Sequence, residues 1–167
     1  MTKKPRILIA DDEAQIRDII AGAVADLGFT HVEAEDGAAA LDIIQAGQID
    51  VIVSDVMMPK LSGMQLLEAI RADGLETPFI LVTGYGTKEY CIKALRLGAF
   101  DFIEKPFEIP EMTRVIATAA RVGVAITDLL RLLEDDFRKK HGRDPSAGDI
   151  SEIRSIASMM ALRYSKL

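Results

Sequence analysis

Residues 51–63 read VIVSDVMMPKLSG. The opening run, Val51-Ile52-Val53, is apolar without a polar alternation, the pattern of a strand covered on both faces. The run ends in Asp55. Met57 and Met58 belong to the loop that follows, and apolar residues resume at helical spacing over 64–72. This unit recurs. Strand-like runs fall at 6–11 (RILIAD), 31–34, 79–83 (FILVT) and 101–104 (DFIE), and helical patterns at 14–27, 38–46 and 88–97. Gly28, Gly47, Gly74 and Gly98 stand just past the four helices, where a left-handed C-terminal residue is expected. Alternating βα units of this length predict an α/β fold: a doubly wound, five-stranded parallel sheet with helices on both faces and right-handed crossovers.

The rest of the composition narrows the class. A chain of 167 residues is one domain, or one domain with an appendage. Hydrophobic residues at 49% and charged residues at 28% exclude wholesale disorder. The single cysteine, Cys91, excludes an intramolecular disulfide and fits a reducing, cytoplasmic setting. No apolar run reaches the roughly 18 residues of a membrane span, so membrane insertion is not expected. Residues 1–6 lead into the first strand without the apolar core of a signal peptide. The net charge of −6 is uneven: residues 1–135 carry 13 basic and 22 acidic side chains, and residues 136–167 carry 7 and 4. An acidic body does not seek nucleic acid, and the small basic surplus of the tail is a weak signal.

In open parallel α/β sheets, ligands sit beyond the carboxyl ends of the strands. The first strand ends in Asp11-Asp12, the third in Asp55 and the fourth in Thr83, and Lys105 follows the fifth. The predicted sheet therefore brings three carboxylates, one hydroxyl and one ammonium to one edge. Carboxylates crowded in this way repel unless a cation sits among them. An all-oxygen set without histidine or cysteine favours a hard ion such as Mg²⁺. One aspartate is then free to attack phosphorus, while a cation and a lysine neutralise the transferring oxygens.

The residues Asp11-Asp12 after RILIA, Asp55 in SDVMMPKLSG, Thr83 in LVTGYG, and Lys105-Pro106 in GAFDFIEKPF resemble the response-regulator receiver domain of two-component signalling. The likeness covers about residues 5–121. It implies a flavodoxin/CheY-like sheet of strand order 2-1-3-4-5, with Asp55 as the phosphoacceptor. It implies Mg²⁺ held by the carboxylates of Asp12 and Asp55 and the backbone carbonyl of Met57, with Asp11 acting through water. Thr83 would contact the phosphoryl group and Lys105 would pair with it. Phe102 falls at the family's aromatic switch position, where many members carry tyrosine. Lys105–Pro106 is a candidate cis peptide, Gly84 leaves the phosphate face open, and Met57 and Tyr85 flank the site. The implied phosphodonor is a sensor histidine kinase or a phosphotransfer protein. The chain is expected to catalyse only its own phosphoryl transfer and hydrolysis, not to act as an enzyme on a diffusible substrate, since no separate general acid or cap is present.

Each piece alone has a plainer reading: a turn and helix cap for Asp11-Asp12, a strand-end cap for Asp55, a turn residue for Thr83, a solvated lysine for Lys105. Their shared edge favours the chemical reading. His31 and His141 have no metal-ligand spacing and are expected to be structural or solvated, and Cys91 to be a half-buried helix residue.

Residues 1–121 are expected to form the receiver, and 122–167 a helical extension. A helix beginning near Pro110 is predicted to run to about Arg138, with Met112, Val115, Ala119, Val122, Ile126, Leu129 and Leu133 forming a heptad seam. Its second half needs cover, from the chain's own last helix or from a second subunit in a homodimer. After the break at 139–143, Asp144 or Ser146 is the candidate N-cap of a last helix whose inner face would be Ile153, Ile156, Ala157, Met160 and Tyr164. Two outputs are weighed for this tail. One is phosphorylation-dependent protein–protein interaction or dimerisation. The other is transcription control, with Arg138, Lys139, Lys140 and Arg143 on nucleic-acid phosphates and 150–164 as a recognition helix. That helix offers only Arg154, Arg163 and Lys166, opposed by Glu152, which argues against nucleic acid.

Overall fold

The computed structural model describes residues 4–84 and 88–164. The elements run β1 (Arg6–Ala10), α1 (Ala14–Asp26), β2 (Thr30–Ala34), α2 (Gly37–Ala46), β3 (Val51–Asp55), α3 (Gly63–Ala72), β4 (Phe79–Thr83), α4 (Lys88–Arg96), β5 (Asp101–Glu104), α5 (Ile109–His141) and α6 (Ala147–Tyr164). Every strand pairing is parallel and the order is β2-β1-β3-β4-β5. The doubly wound α/β fold is as the sequence predicts, and each boundary through α4 falls within a residue of its predicted place. One difference concerns Gly47. Gly28, Gly74 and Gly98 adopt positive φ, whereas Gly47 is extended, at φ −170°, because the chain runs straight on from α2 toward β3 without the reversal a left-handed residue makes.

Both faces of the sheet are covered, which is why β3 and β4 are buried along their whole length. On one face Ile7, Ile9, Val51, Val53, Ile80 and Val82 meet α1 and the first half of α5. On the other, Leu8, Ile52, Phe79 and Leu81 meet α2, α3 and α4. Adjacent residues of one strand serve opposite layers, so no polar alternation can survive in the sequence. Helix α3 starts on a capping box, with Ser62 Oγ accepting from the Gln65 N–H and Gln65 Oε1 accepting from the Ser62 N–H.

Helix α5 runs unbroken for 33 residues, about 50 Å at the helical rise. It ends at Gly142, at φ +64°, and α6 turns back along it. The N-cap of α6 is Ser146: its Oγ accepts from the Asp149 N–H at 3.3 Å, while Asp149 Oδ2 accepts from the Ser146 N–H at 2.8 Å. Met112, Val115 and Ala119 of the seam pack on the sheet, and Val122 and Ile126 pack with Ala161 of α6. The chain's own last helix thus covers the seam at Val122, Ile126 and Leu129, while Leu133 is half-buried outside that cluster. The inner face of α6 differs from the predicted one. Ile153, Ala157, Ser158 and Ala161 are buried, while Ile156 and Met160 are exposed. Small residues let the two helices approach closely, and a pattern built on the largest apolar residues picks the neighbouring stripe. The side chain of Tyr164 lies outside the described residues, as does Tyr85.

Candidate phosphoacceptor site

The strand register sets the positions of the site residues. Asp55 ends β3 and pairs with Val82, so Thr83 stands one residue beyond it on the neighbouring strand. Thr83 in turn pairs with Glu104, and its carbonyl accepts from the Lys105 N–H at 2.7 Å. The cis Lys105–Pro106 bond follows, as the sequence suggested. Asp11 lies just past β1, where its N–H continues the ladder onto the Ala34 carbonyl at 3.1 Å.

These placements converge on one ammonium. Lys105 Nζ is 2.9 Å from Asp11 Oδ2 and 2.9 Å from Asp55 Oδ1. It also lies 3.4 Å from Glu13 Oε1. Asp11 and Asp55 are buried at 1% and 6% exposure, while Asp12 and Glu13 are exposed. The second oxygen of Asp55 accepts from the Met57 N–H at 2.7 Å, and Asp11 Oδ1 accepts from the Glu13 N–H at 2.9 Å. Burial pushes the Asp55 carboxyl above its ordinary range, and the Asp11 charge adds to this, against the pull of Lys105 and the Met57 N–H. Burial by itself would weaken the Lys105 ammonium, but the two carboxylates outweigh it and hold the ammonium firmly protonated.

The surrounding loops hold this arrangement. A Cβ on Gly63 would stand 3.0 Å from the Asp55 carbonyl carbon and nearer still to its oxygen, so only glycine lets α3 begin so close to Asp55. Lys60, at φ +64°, reaches Asp36 at 2.6 Å and ties the β3–α3 loop to the start of α2. Arg17 donates to the Asp11 carbonyl at 2.8 Å. Thr83 is buried, Phe102 is half-buried against the α2–α4 layer, and Met57 is 65% exposed beside the site.

The structure therefore gathers Asp11, Asp55 and Lys105, sets Thr83 on the adjoining strand end, and leaves Asp12 on the surface. Sequence reasoning missed Glu13 as a third oxygen near Lys105; the run Asp11-Asp12-Glu13 was the available signal. His31, His141 and Cys91 lie elsewhere: His31 is exposed on β2, His141 stacks on Phe137, and Cys91 is half-buried on α4. Among the described residues no three acidic, histidine or cysteine side chains gather closely enough to hold a metal unaided. The donor chemistry nonetheless suits a hard cation, because two buried carboxylates share one ammonium and all available donors are oxygen. No helix among the described residues is long and apolar enough to cross a membrane.

Comparison with known proteins agrees with this fold. The family description "Response regulator receiver domain" matches residues 7–117. The chain is 37% identical over 122 residues to the regulatory protein AtoC of Escherichia coli, a match covering 73% of this chain and 26% of AtoC. It is 37% identical over 121 residues to the transcriptional regulatory protein FixJ of Bradyrhizobium diazoefficiens, covering 72% of this chain and 59% of FixJ. The chain thus spans about a quarter to three-fifths of the length of these relatives. Among solved structures, the receiver domain of the Francisella response regulator 1452 superposes with a TM-score of 0.66 at 36% identity, covering 71% of this chain and 98% of that one. The receiver domain of the putative response regulator NarL of Mycobacterium tuberculosis does so with a TM-score of 0.66 at 32% identity, covering 71% and 97%. From the strand-end carboxylates, the shared lysine and these likenesses, the chain belongs to the response-regulator receiver-domain family of two-component systems.

Proposed function

We propose that this chain accepts a phosphoryl group on Asp55 from a histidine kinase or phosphotransfer protein, and signals through protein–protein contacts made by residues near Lys105 and by the α5–α6 tail. The observation that carries the reading is the Lys105 ammonium, 2.9 Å from the carboxylates of both Asp11 and Asp55. Asp55 Oδ1 is the nucleophile. Its attack on phosphorus forms a P–O bond as the bond to the donor nitrogen breaks, and the donor imidazole leaves with the electron pair. Lys105 then exchanges part of its carboxylate contact for the new phosphoryl oxygens. That exchange reports phosphorylation to the β4–α4 and β5–α5 connections, with Thr83 and Phe102 as the switch pair. Asp11, Asp12, Asp55 and the Met57 carbonyl would hold Mg²⁺, which, when bound, offsets charge on the phosphoryl oxygens. Residues 1–121 form the receiver on this reading and 122–167 its output appendage, in a cytoplasmic setting.

The tail's cations support protein contact over nucleic acid. Arg138 faces Glu134, Asp135 and Asp144, Lys140 faces Asp136, and Arg143 faces Asp149. These three charges are already partnered within the tail, while Lys139 and Arg154 have no carboxylate partner among the described residues. Binding to random duplex DNA is expected to be absent even at low salt; a steep salt dependence of measurable binding would favour the nucleic-acid reading.

The test is incorporation from a small phosphodonor with Mg²⁺, read by intact mass and site mapping. Asp55→Ala is expected to abolish it, and persistent labelling at another residue overturns the assignment. Lys105→Ala is expected to retain Mg²⁺ binding but lose any phosphorylation-dependent change in solution mass or shape. A full response in that variant removes Lys105 as the coupling residue.

A further inference from the structure

A cavity of about 480 Å³ opens at the amino-terminal edge of the sheet, the end opposite Asp55. Its size falls within the range of about 300–1,000 Å³ typical of small-molecule sites. One side is formed by the connections leading into β3 and β4, the other by α5 and α6. Ile44, Leu75, Pro78, Ile126 and Leu130 supply its apolar lining. The wall formed by Leu75 and Thr77 is held by Arg71, which donates to the carbonyls of both and to that of Gly98.

Three carboxylates, of Asp50, Glu76 and Glu134, and two guanidiniums, of Arg131 and Arg154, line the cavity. Asp50 is buried and committed: Oδ2 accepts from the Arg6 N–H at 2.8 Å and Oδ1 from the Thr127 hydroxyl at 3.2 Å. Glu134 faces Arg138 at 3.7 Å, and Glu76 acts on Arg71. Two guanidiniums remain. Arg131 has no carboxylate partner among the described residues, and Arg154 makes only a long 3.4 Å bond to the Asp73 carbonyl. Ser158, one helical turn beyond Arg154, is 6% exposed, and its hydroxyl lacks a hydrogen-bond partner among the described residues. A buried hydroxyl left unpaired costs about 1–3 kcal/mol.

We propose that this cavity binds a small organic anion with an apolar body, the anionic group held by Arg131 and Arg154 and the body lying on Ile44, Leu75 and Pro78. The Ser158 hydroxyl, in the wall one turn from Arg154, is the further donor the ligand engages. A bare inorganic anion leaves the apolar lining uncovered, and a neutral apolar molecule leaves both guanidiniums unanswered. The ligand touches α6 on one side and the β3 and β4 approaches on the other, so it fastens α6 to the sheet. This site is independent of the Asp55 reading.

The probe is 8-anilinonaphthalene-1-sulfonate, a ring-bearing anion whose fluorescence rises in apolar surroundings, titrated into the full chain. One saturable site per chain is expected, displaced by octanoate but not by inorganic phosphate at equal concentration. Arg131→Gln and Arg154→Gln are each expected to weaken binding roughly tenfold, the value of one charge-assisted hydrogen bond. Arg121→Gln, an exposed arginine of α5 outside the cavity, leaves it unchanged. Hydrogen exchange across α6 slows with probe bound. Absence of saturable binding, or equal binding by the Arg131, Arg154 and Arg121 variants, overturns the proposal.

Discussion

Two glycines in helices are expected to respond in opposite directions to the same substitution. Gly22 lies on the exposed side of α1, and a Cβ there meets nothing within 4 Å. Gly123 lies in α5 against β3, where a Cβ would stand 2.8 Å from the Asp50 carbonyl carbon and nearer still to its oxygen. Alanine in a helix interior is favoured over glycine by about 1 kcal/mol, so Gly22→Ala should stabilise by about 0.5–1 kcal/mol. Gly123→Ala gains the same propensity but must restore ordinary contacts of about 3.5–4 Å, and because the oxygen is the nearer atom α5 withdraws by more than about 1 Å. The 3.2 Å Thr127–Asp50 hydrogen bond does not survive that movement. Its loss costs about 1 kcal/mol, and the overpacking costs about 1–3 kcal/mol. The propensity gain offsets roughly the first of these, leaving a net loss of about 1–3 kcal/mol. Urea unfolding of the two variants and the parent, followed by far-ultraviolet circular dichroism, measures both signs. A Gly123→Ala variant as stable as the parent, beside a stabilised Gly22→Ala, refutes the close approach of α5 to β3.

Two further outcomes follow from the charges. Asp55 is held above its ordinary range by burial, so its ionised form opposes folding at neutral pH and the opposition fades as pH falls through that raised value. Asp55→Asn is therefore expected to raise the unfolding midpoint at pH 7, with the advantage shrinking toward pH 4; an unchanged or lowered midpoint at pH 7 counts against the buried charge. Asp149 is the converse case: Ser146 and Arg143 hold its carboxyl down to about 2. Its support for the start of α6 is complete above the ordinary aspartate value of about 3.9 and is lost as pH falls toward 2. Hydrogen exchange at the first turn of α6 should accelerate across that window in the parent and be fast at every pH in Asp149→Ala. Identical profiles for the two chains would remove Asp149 as the partner of the Ser146 cap.

The sheet was legible because β1, β3 and β4 are short, apolar runs closed by a polar residue at the carboxyl edge. Asp11, Asp55, Thr83 and Lys105 thereby mark both the strand ends and the candidate site. The tail was only half legible. A seam spaced 3-4-3-4 shows that α5 is amphipathic, and Ile153 and Ala157 of α6 are buried as expected, but the rest of that face is Ser158 and Ala161, whose small size carries almost no hydrophobic signal, in place of Ile156 and Met160. The Asp50–Thr127 bond joins residues 77 apart, and nothing local in the sequence announces it. Lys105 was expected opposite a phosphoryl group; its contact with both carboxylates at once is a matter of three-dimensional register, as is the nearby Glu13.

The continuity of α5 has a mechanical consequence. From Ile126 to His141 the helix extends about 22 Å past its seat on the sheet. Treated as a rigid lever pivoting at Ile126, each degree of tilt swings its far end by about 0.4 Å. A five-degree rocking at the sheet, hardly visible in side-chain positions there, becomes a displacement of about 2 Å at the α5–α6 turn. Because no break interrupts the rod, that displacement needs no rearrangement along the way, and α6, lashed alongside, acts as the stay that sets how stiffly the arm moves.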